Sequence, residues 1–299
     1  MSKREGREMT DRAESQEPQA AGASMESGEA ASSLIPASGW HVFHLFYGID
    51  RVLLGEAGGA DRGAMRASWA RLCDGSAAGP ARRFQTFVVP GQKAQLGVIL
   101  ADPDPLKLVA WQASLEASAL GRVLRPAYSF TSLTEVSEYV PDAEQYARIL
   151  REREGMDPES TIYRTRVSQY ASRLEGMNRQ RLEPEFPDWP CLCFYPMNKL
   201  RTEGQNWYLL PFEERSRMMA EHGKSGMKFA GRVSQLITAS TGLDDWEWGV
   251  TLWARNPQYL KEIVYTMRFD EASARYAAFG SFYQGYLMQP GPILETLQI

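Results

Sequence analysis

The sequence predicts an α+β fold: two ferredoxin-like βαββαβ units packed as a dimeric α+β barrel, preceded by a disordered N-terminal tail. Three observations predict it. Strand and helix patterns run βαββαβ between residues 40 and 132, then βαββαβ again between 191 and 287 after a helical connector. Strands joined in that order form antiparallel sheets with helices on one face, so the open faces need covering, and packing one sheet on the other makes a barrel-like core. Hydrophobic residues at 43% and charged residues at 23% are the composition of a globular protein with a sizeable core.

The elements follow in order. Residues 1–33 are rich in Glu, Ser, Ala and Gly, and the first aromatic is Trp40, so this stretch buries too little apolar surface to offset its ordering entropy. Its acids, among them Glu5, Glu8, Asp11 and Glu14, are unlike a transit peptide. Residues 40–47 are aromatic and β-branched, as in a buried strand. Met65, Trp69 and Leu72 share one face of a helix over 61–73. Strands over 84–89 and 96–100 are separated by Pro90-Gly91, a turn signal. Helical spacing returns over 105–119, and Tyr128-Ser129-Phe130-Thr131-Ser132 reads as strand. A charged helical connector spans 142–179. The second unit has a strand over 191–199, a helix over 212–222, strands over 233–240 and 247–254, a helix over 257–278 interrupted near Phe269, and a strand over 282–287. This partitions the chain into a tail at 1–36, a first unit with its connector at 37–180 and a second unit at 181–299.

Composition removes several classes of function. With Lys+Arg 33 against Asp+Glu 37, the net charge of -4 disfavours nucleic acid as a partner. No apolar stretch approaches the roughly 20 residues of a membrane span, and no basic region followed by an apolar run opens the chain. Neither membrane insertion nor secretion is expected. Cys73, Cys191 and Cys193 make neither a disulfide framework nor a zinc motif, which suits a reducing cytoplasm.

Candidate chemistry concentrates in two segments of the second unit. On a regular strand over 191–199, Tyr195, Met197 and Lys199 share a face unless Pro196 introduces a bulge. A phenol and an ammonium would then line one wall, although a sheet-anchoring tyrosine and a strand-ending lysine are the commoner roles. The helix over 212–222 has Pro211 at its start, Glu213 and Glu214 in its first turn and Gly223 as a C-terminal cap, placing His222 in the last turn. An imidazole there either ligates a metal or haem iron or complements the helix dipole, the latter being commoner. His41 and His44 point to opposite strand faces and read as structural, so no multi-histidine metal site is expected.

Several runs carry a resemblance. They are Phe194-Tyr195-Pro196-Met197-Asn198-Lys199, Asn206-Trp207-Tyr208, Arg217-Met218-Met219-Ala220-Glu221-His222-Gly223, Gly242-Leu243-Asp244-Asp245-Trp246-Glu247-Trp248-Gly249-Val250-Thr251-Leu252 and Met267-Arg268-Phe269-Asp270-Glu271-Ala272-Ser273-Ala274. In these, the region between 181 and 285 resembles the chlorite dismutase superfamily, most closely its coproheme decarboxylase branch. The first unit matches more loosely, through its strand order and the Tyr128-Ser129-Phe130-Thr131-Ser132 segment.

The resemblance implies that iron coproporphyrin III is both substrate and redox cofactor, that hydrogen peroxide is the oxidant, and that two propionates become vinyl groups to give haem b and CO2. It implies that His222 ligates the iron and that Tyr195, 27 residues earlier, is the catalytic tyrosine. Gln235, 13 residues after His222, would be the distal residue. Arg181, Lys199 and Ser273 would hold carboxylates, with Met197 also lining the porphyrin. Glu271 is a plausible acceptor for the second nitrogen of His222, and an ordinary surface glutamate is nearly as good a reading. Cys191 and Cys193, on the strand face of Tyr195, read as small core residues. One departure is Met227, with Lys228 beside it, where relatives often carry arginine. The alternatives are chlorite dismutation or peroxidase-like chemistry, which an uncharged Gln235 disfavours, and a non-catalytic haem-binding protein, which would not need Tyr195, Lys199 and Arg181 together. A homopentamer is implied by the resemblance alone.

Overall fold

Alternation sets the first strand. In β1 (His41–Ile49), Val42, His44 and Phe46 face one side, and Phe43, Leu45 and Tyr47 the other. Both sides are buried, so this strand belongs to a sheet covered on each face. The computed structural model describes residues 33–76 and 79–299, so most of the tail expected to be disordered lies outside the described residues.

The first half continues with α1 (Arg51–Glu56), α2 (Gly59–Cys73), β2 (Arg83–Val88), β3 (Leu96–Asp102), α3 (Pro105–Glu116) and β4 (Leu124–Thr134). Gly91 turns between β2 and β3 with φ of 84°, a left-handed conformation that favours glycine. Asp104 caps α3 by accepting from the Leu106 N–H, with Pro105 at its first position. The connector is two helices, α4 (Ala143–Glu152) and α5 (Thr161–Leu182). The second half comprises β5 (Cys191–Lys199), a small hairpin of β6 (Arg201–Thr202) and β7 (Gln205–Asn206), α6 (Phe212–Met227), β8 (Val233–Ala239), β9 (Trp248–Ala254), α7 (Pro257–Met267), α8 (Glu271–Tyr276), β10 (Ala277–Phe279), β11 (Tyr283–Leu287) and α9 (Pro290–Thr296).

The strands join into one sheet in the order β10-β5-β11-β2-β3-β1-β4-β8-β9, and a further pairing of β5 with β9 closes it into a barrel. Each half supplies a ferredoxin-like group of strands, β2-β3-β1-β4 and β11-β5-β9-β8, and the halves meet edge to edge at β11–β2 and β4–β8. Closure removes the exposed edges that two separate sheets would leave. Inside, aromatic rings fill the lumen: Phe46, Phe87, Phe130, Phe194 and Trp253 are buried together. Gly97 and Gly285 face Phe87, where a Cβ on either would fall within the ring's van der Waals envelope. Outside, α2, α3 and α9 cover the first half with Trp69, Trp111 and Leu294, while Leu260 and Ile263 of α7 cover Cys193, Val250 and Leu252 in the second.

Two expected helix ends are corrected. The helix carrying His222 does not end there: Gly223 lacks a positive φ, and α6 continues to Met227. His222 is therefore an interior helical residue, and the dipole-capping role falls away. Pro196 makes no bulge toward β9, because the register Tyr195↔Val250, Pro196↔Gly249, Met197↔Trp248 is unbroken. Its missing N–H falls on the opposite edge, where its carbonyl accepts from Gly280 at 2.8 Å and the partner strand is split into β10 and β11. The helix expected to reach 278 breaks as expected near Phe269 but gives way to β10 at Ala277.

Candidate functional site

The outer face of β5, β9 and β8 forms one wall of the site. Paired residues on antiparallel strands point to the same face, so Tyr195, Val250 and Ile237 make one row and Cys193, Leu252 and Gln235 the next. Tyr195 stacks on Phe282, with ring centroids 4.4 Å apart, and meets Phe279 edge-on at 5.8 Å. Burial raises its phenol well above the ordinary tyrosine range, with Cys193 adding to the effect and the Arg268 charge opposing it. The hydroxyl therefore keeps its proton at neutral pH. Gln235 is exposed at the surface of β8, and its Nε2 would lie 3.8 Å from a Cβ built on Gly226, so the amide faces the last turns of α6 across a glycine.

His222 stands on α6. Its Nδ1 is 3.1 Å from Oδ2 of Asp270, and the Ser273 hydroxyl lies 3.3 Å from Nδ1 and 3.2 Å from the same carboxylate oxygen. Asp270 is the N-cap of α8 and also accepts from the Ser273 N–H at 3.0 Å, which fixes its rotamer. Burial pushes the Asp270 carboxyl up, but hydrogen bonds from His222 and Ser273 outweigh it and hold the group below the usual carboxylate range. A carboxylate that holds Nδ1 turns Nε2 away from Asp270, as in sites where such a carboxylate orients a histidine. The imidazole is 30% exposed, so Nε2 is reachable. Among the described residues no group of three or more His, Cys, Asp or Glu could hold a metal ion.

Asp270, and not Glu271, is thus the acceptor for His222. Glu271 instead bridges Arg217 at 2.8 Å and Arg275 at 2.9 Å on the surface of α6 and α8. The Asp270–Ser273 spacing is an N-cap pattern, the one local signal that could have singled out Asp270.

Lys199 ends β5 at 9% exposure. Its Nζ donates to the Ala272 carbonyl at 3.0 Å and sits 4.0 Å above the Trp207 ring, which the hairpin of β6 and β7 delivers. Burial lowers its pKa to about 8, against the pull of Asp270 and Glu247, which favour the charge. Glu247 accepts from the Lys199 backbone N–H at 2.8 Å, and its own N–H donates to Asn198 Oδ1 at 2.6 Å. Lys199 and Ser273 therefore lie on the His222 side of the site, through Ala272 and Asp270. Met197 is half-buried between Trp248 and Phe279 in the strand register. Arg181, at the end of α5, is desolvated enough to lower its pKa and lies near Glu135, whose carboxyl is raised by burial. Thr134 donates to the Leu182 carbonyl at 2.7 Å, which ties Arg181's turn to the end of β4, the rim that also carries Ala239, Trp248 and Met197.

Comparisons with known proteins agree on the fold and the family. The family model described as chlorite dismutase matches residues 62–288. The coproheme decarboxylase of Staphylococcus carnosus (strain TM300) is 36% identical over 271 residues, covering 90% of this chain and 98% of that protein. A haem-binding protein from Thermus thermophilus superposes with a TM-score of 0.69 at 33% identity, over 88% of this chain and 96% of that one. Chlorite dismutase from Candidatus Nitrospira defluvii, solved in complex with imidazole, gives a TM-score of 0.65 at 18% identity over 89% of this chain and 98% of that one, a likeness of fold.

Proposed function

The chain belongs to the chlorite dismutase family, and from that membership, with its near full-length coproheme decarboxylase relative, we infer that it is a coproheme decarboxylase. Its reaction converts two propionates of iron coproporphyrin III to vinyl groups, with haem b and CO2 as products and hydrogen peroxide as oxidant. Each propionate loses one hydrogen from its β-carbon, its carboxylate as CO2, and two electrons. One peroxide accepts those electrons and, with that hydrogen as a proton and one further proton, leaves as two waters.

The observation that carries this reading at the site is the oriented His222, with Nδ1 held by Asp270, beside the buried ammonium of Lys199. A porphyrin with several carboxylates and one axial metal position matches that donor set. When bound, the iron porphyrin supplies the redox equivalents taken from peroxide. His222 would hold the iron through its imidazole, which Asp270 orients by its contact with Nδ1. Tyr195, protonated and stacked on Phe282, holds a hydrogen at Oη that can leave with an electron. The oxidised ring can then take hydrogen from a propionate β-carbon brought against it. Lys199, Arg181 and Ser273 set the carboxylates by charge and hydrogen bonding, and Met197 packs the intervening space.

Gln235, which family resemblance makes the distal residue, offers an uncharged amide where chlorite-degrading relatives place an arginine, which argues against chlorite as the substrate. The working form is assigned as a homopentamer on family resemblance, in a cytoplasm whose reducing poise suits three free cysteines. Among the described residues no helix is long and apolar enough to cross a membrane. Mixing the purified protein with iron coproporphyrin III and peroxide, then weighing the porphyrin products, tests the reading. Stepwise conversion of two propionates to vinyl groups supports it; unchanged substrate refutes it.

A further inference from the structure

Two helices end side by side next to the site, and both turn large apolar and cationic side chains to solvent. In the last turn of α6, Lys224, Met227 and Lys228 are exposed at i, i+3 and i+4, so they share one side of the helix. On α7, Lys261 and Tyr265 are exposed four residues apart. Phe269 adds a third step, because the Arg268 N–H donates to the Tyr265 carbonyl at 3.1 Å and the Phe269 N–H to the Thr266 carbonyl at 3.3 Å, which carries the turn past the helix end. The two elements meet at Gly226, where an added Cβ would stand 3.8 Å from Met267 Cε and from Gln235 Nε2. The two faces therefore adjoin, one helical turn beyond His222.

Met227, Tyr265 and Phe269 are 74%, 66% and 71% exposed, and clustered apolar side chains held that far into water mark a contact site. The Tyr265 and Phe269 rings meet edge-on with centroids 5.1 Å apart, so they brace one another outward. Beside them, Lys224, Lys228 and Lys261 make no ion pair or side-chain hydrogen bond with a described residue. The nearby acids are engaged elsewhere. Glu221 lies one turn after Arg217, which feels its charge, and Glu262 accepts from Gln258 at 2.6 Å. This corner is thus positive on a chain whose net charge is -4.

We propose that this corner docks on an anionic membrane surface, with Met227, Tyr265 and Phe269 entering the headgroup boundary and the three lysines facing the lipid phosphates. Aromatic rings favour that boundary, and long lysine stems can lie along it while their ammonium groups reach the phosphates. An acidic chain is repelled by an anionic bilayer as a whole, so only a local basic face can approach it. A second copy docked face to face would instead set the lysines against one another. On the decarboxylase reading, docking puts the site beside a bilayer as its tetrapyrrole loses two carboxylates and becomes less polar.

The test sediments the full-length protein, without porphyrin, with vesicles of phosphatidylglycerol and phosphatidylcholine in equal parts and with vesicles of phosphatidylcholine alone. The protein should bind the mixed vesicles, more weakly as salt rises, and leave phosphatidylcholine vesicles bare. Changing Lys224→Gln, Lys228→Gln and Lys261→Gln together should cost roughly a hundred-fold in affinity, about five-fold per charge, and Phe269→Ser roughly ten-fold. All four positions are exposed, so neither variant should lose the fold. No wild-type binding to the mixed vesicles, equal binding to both kinds, or unchanged affinity in either variant overturns the proposal. So does a changed oligomeric state in either variant, which would give the face to a contact between copies. No porphyrin enters this readout, so failure of the decarboxylase reading shows separately, as unchanged product mass with the wild-type protein.

Discussion

Replacing Lys199 by methionine should make the protein more stable and less active. The native state keeps a charged ammonium at 9% exposure, and its pKa falls from 10.5 to about 8, mainly through burial. At about 1.4 kcal/mol per pH unit, that depression corresponds to a cost of roughly 3 kcal/mol at neutral pH. The bond to the Ala272 carbonyl and the stacking on Trp207 return some of it. Methionine fills a similar volume without the charge, so the net gain is about 1–2 kcal/mol at pH 7. Removing one charge from a buried cluster is usually costly because a partner is orphaned. Here Asp270 keeps His222 and Ser273, and Glu247 keeps the backbone N–H of residue 199 and the Arg201 side chain at 3.5 Å. The sign is set by linkage. A lysine with a depressed native pKa binds its proton more weakly than in the unfolded chain, so its cost is full below about pH 8 and fades by about pH 10.5. Urea unfolding of wild type and Lys199→Met at pH 7 and near pH 10 reads both. The variant should be the more stable at pH 7, with the gap closing at high pH and decarboxylation slowed roughly ten-fold or more. A variant less stable at pH 7, or a gap that ignores pH, would refute the reasoning.

Other outcomes follow from the same geometry. Asp270→Ala should weaken binding of iron coproporphyrin by roughly ten-fold or more and shift its Soret band, while metal-free coproporphyrin binds as before; equal effects on both would assign Asp270 a purely structural role. With an amide at Gln235, oxygen evolution from chlorite should be slow or absent, and rapid, sustained turnover would contradict the functional reading. Gly97→Ala should destabilise the barrel by about 2–3 kcal/mol in urea unfolding, because its methyl group collides with Phe87.

Much of the fold was legible because its signals are local. The strand expected over 191–199 is β5 to the residue, and the α7–α8 break near Phe269 is marked by the Asp270 cap. What local pattern could not carry was closure. The β11–β2 and β4–β8 seams join residues about a hundred or more positions apart, and no propensity encodes them. The short α1, α9 and β10 escaped because they are held by packing: Leu54, Ile293 and Leu294 are buried against the first half's helices, and β10 exists as the partner of the end of β5.

At the site, the sequence marks residue types better than partnerships. Gly223 looked like a helix stop, but glycine ends a helix only when it turns left-handed, and this one does not. Asp270 and Glu271 are adjacent carboxylates that chain position cannot rank. The N-cap geometry of α8 turns one toward His222 and leaves the other with Arg217 and Arg275. Trp207, which forms the floor under Lys199, arrives through a hairpin too short to leave a periodic pattern.

The central claim, that the buried Tyr195 drives decarboxylation of bound coproheme, is tested most directly by the product mass of Tyr195→Phe after stoichiometric peroxide. Phenylalanine keeps the ring stacked on Phe282 and removes only a hydroxyl with no hydrogen bond to a described residue, so folding stability should change by less than about 1 kcal/mol. This variant should bind iron coproporphyrin III as the wild type does and return it with every propionate intact, while the wild type yields haem b. Haem b formed by Tyr195→Phe at the wild-type rate would contradict it.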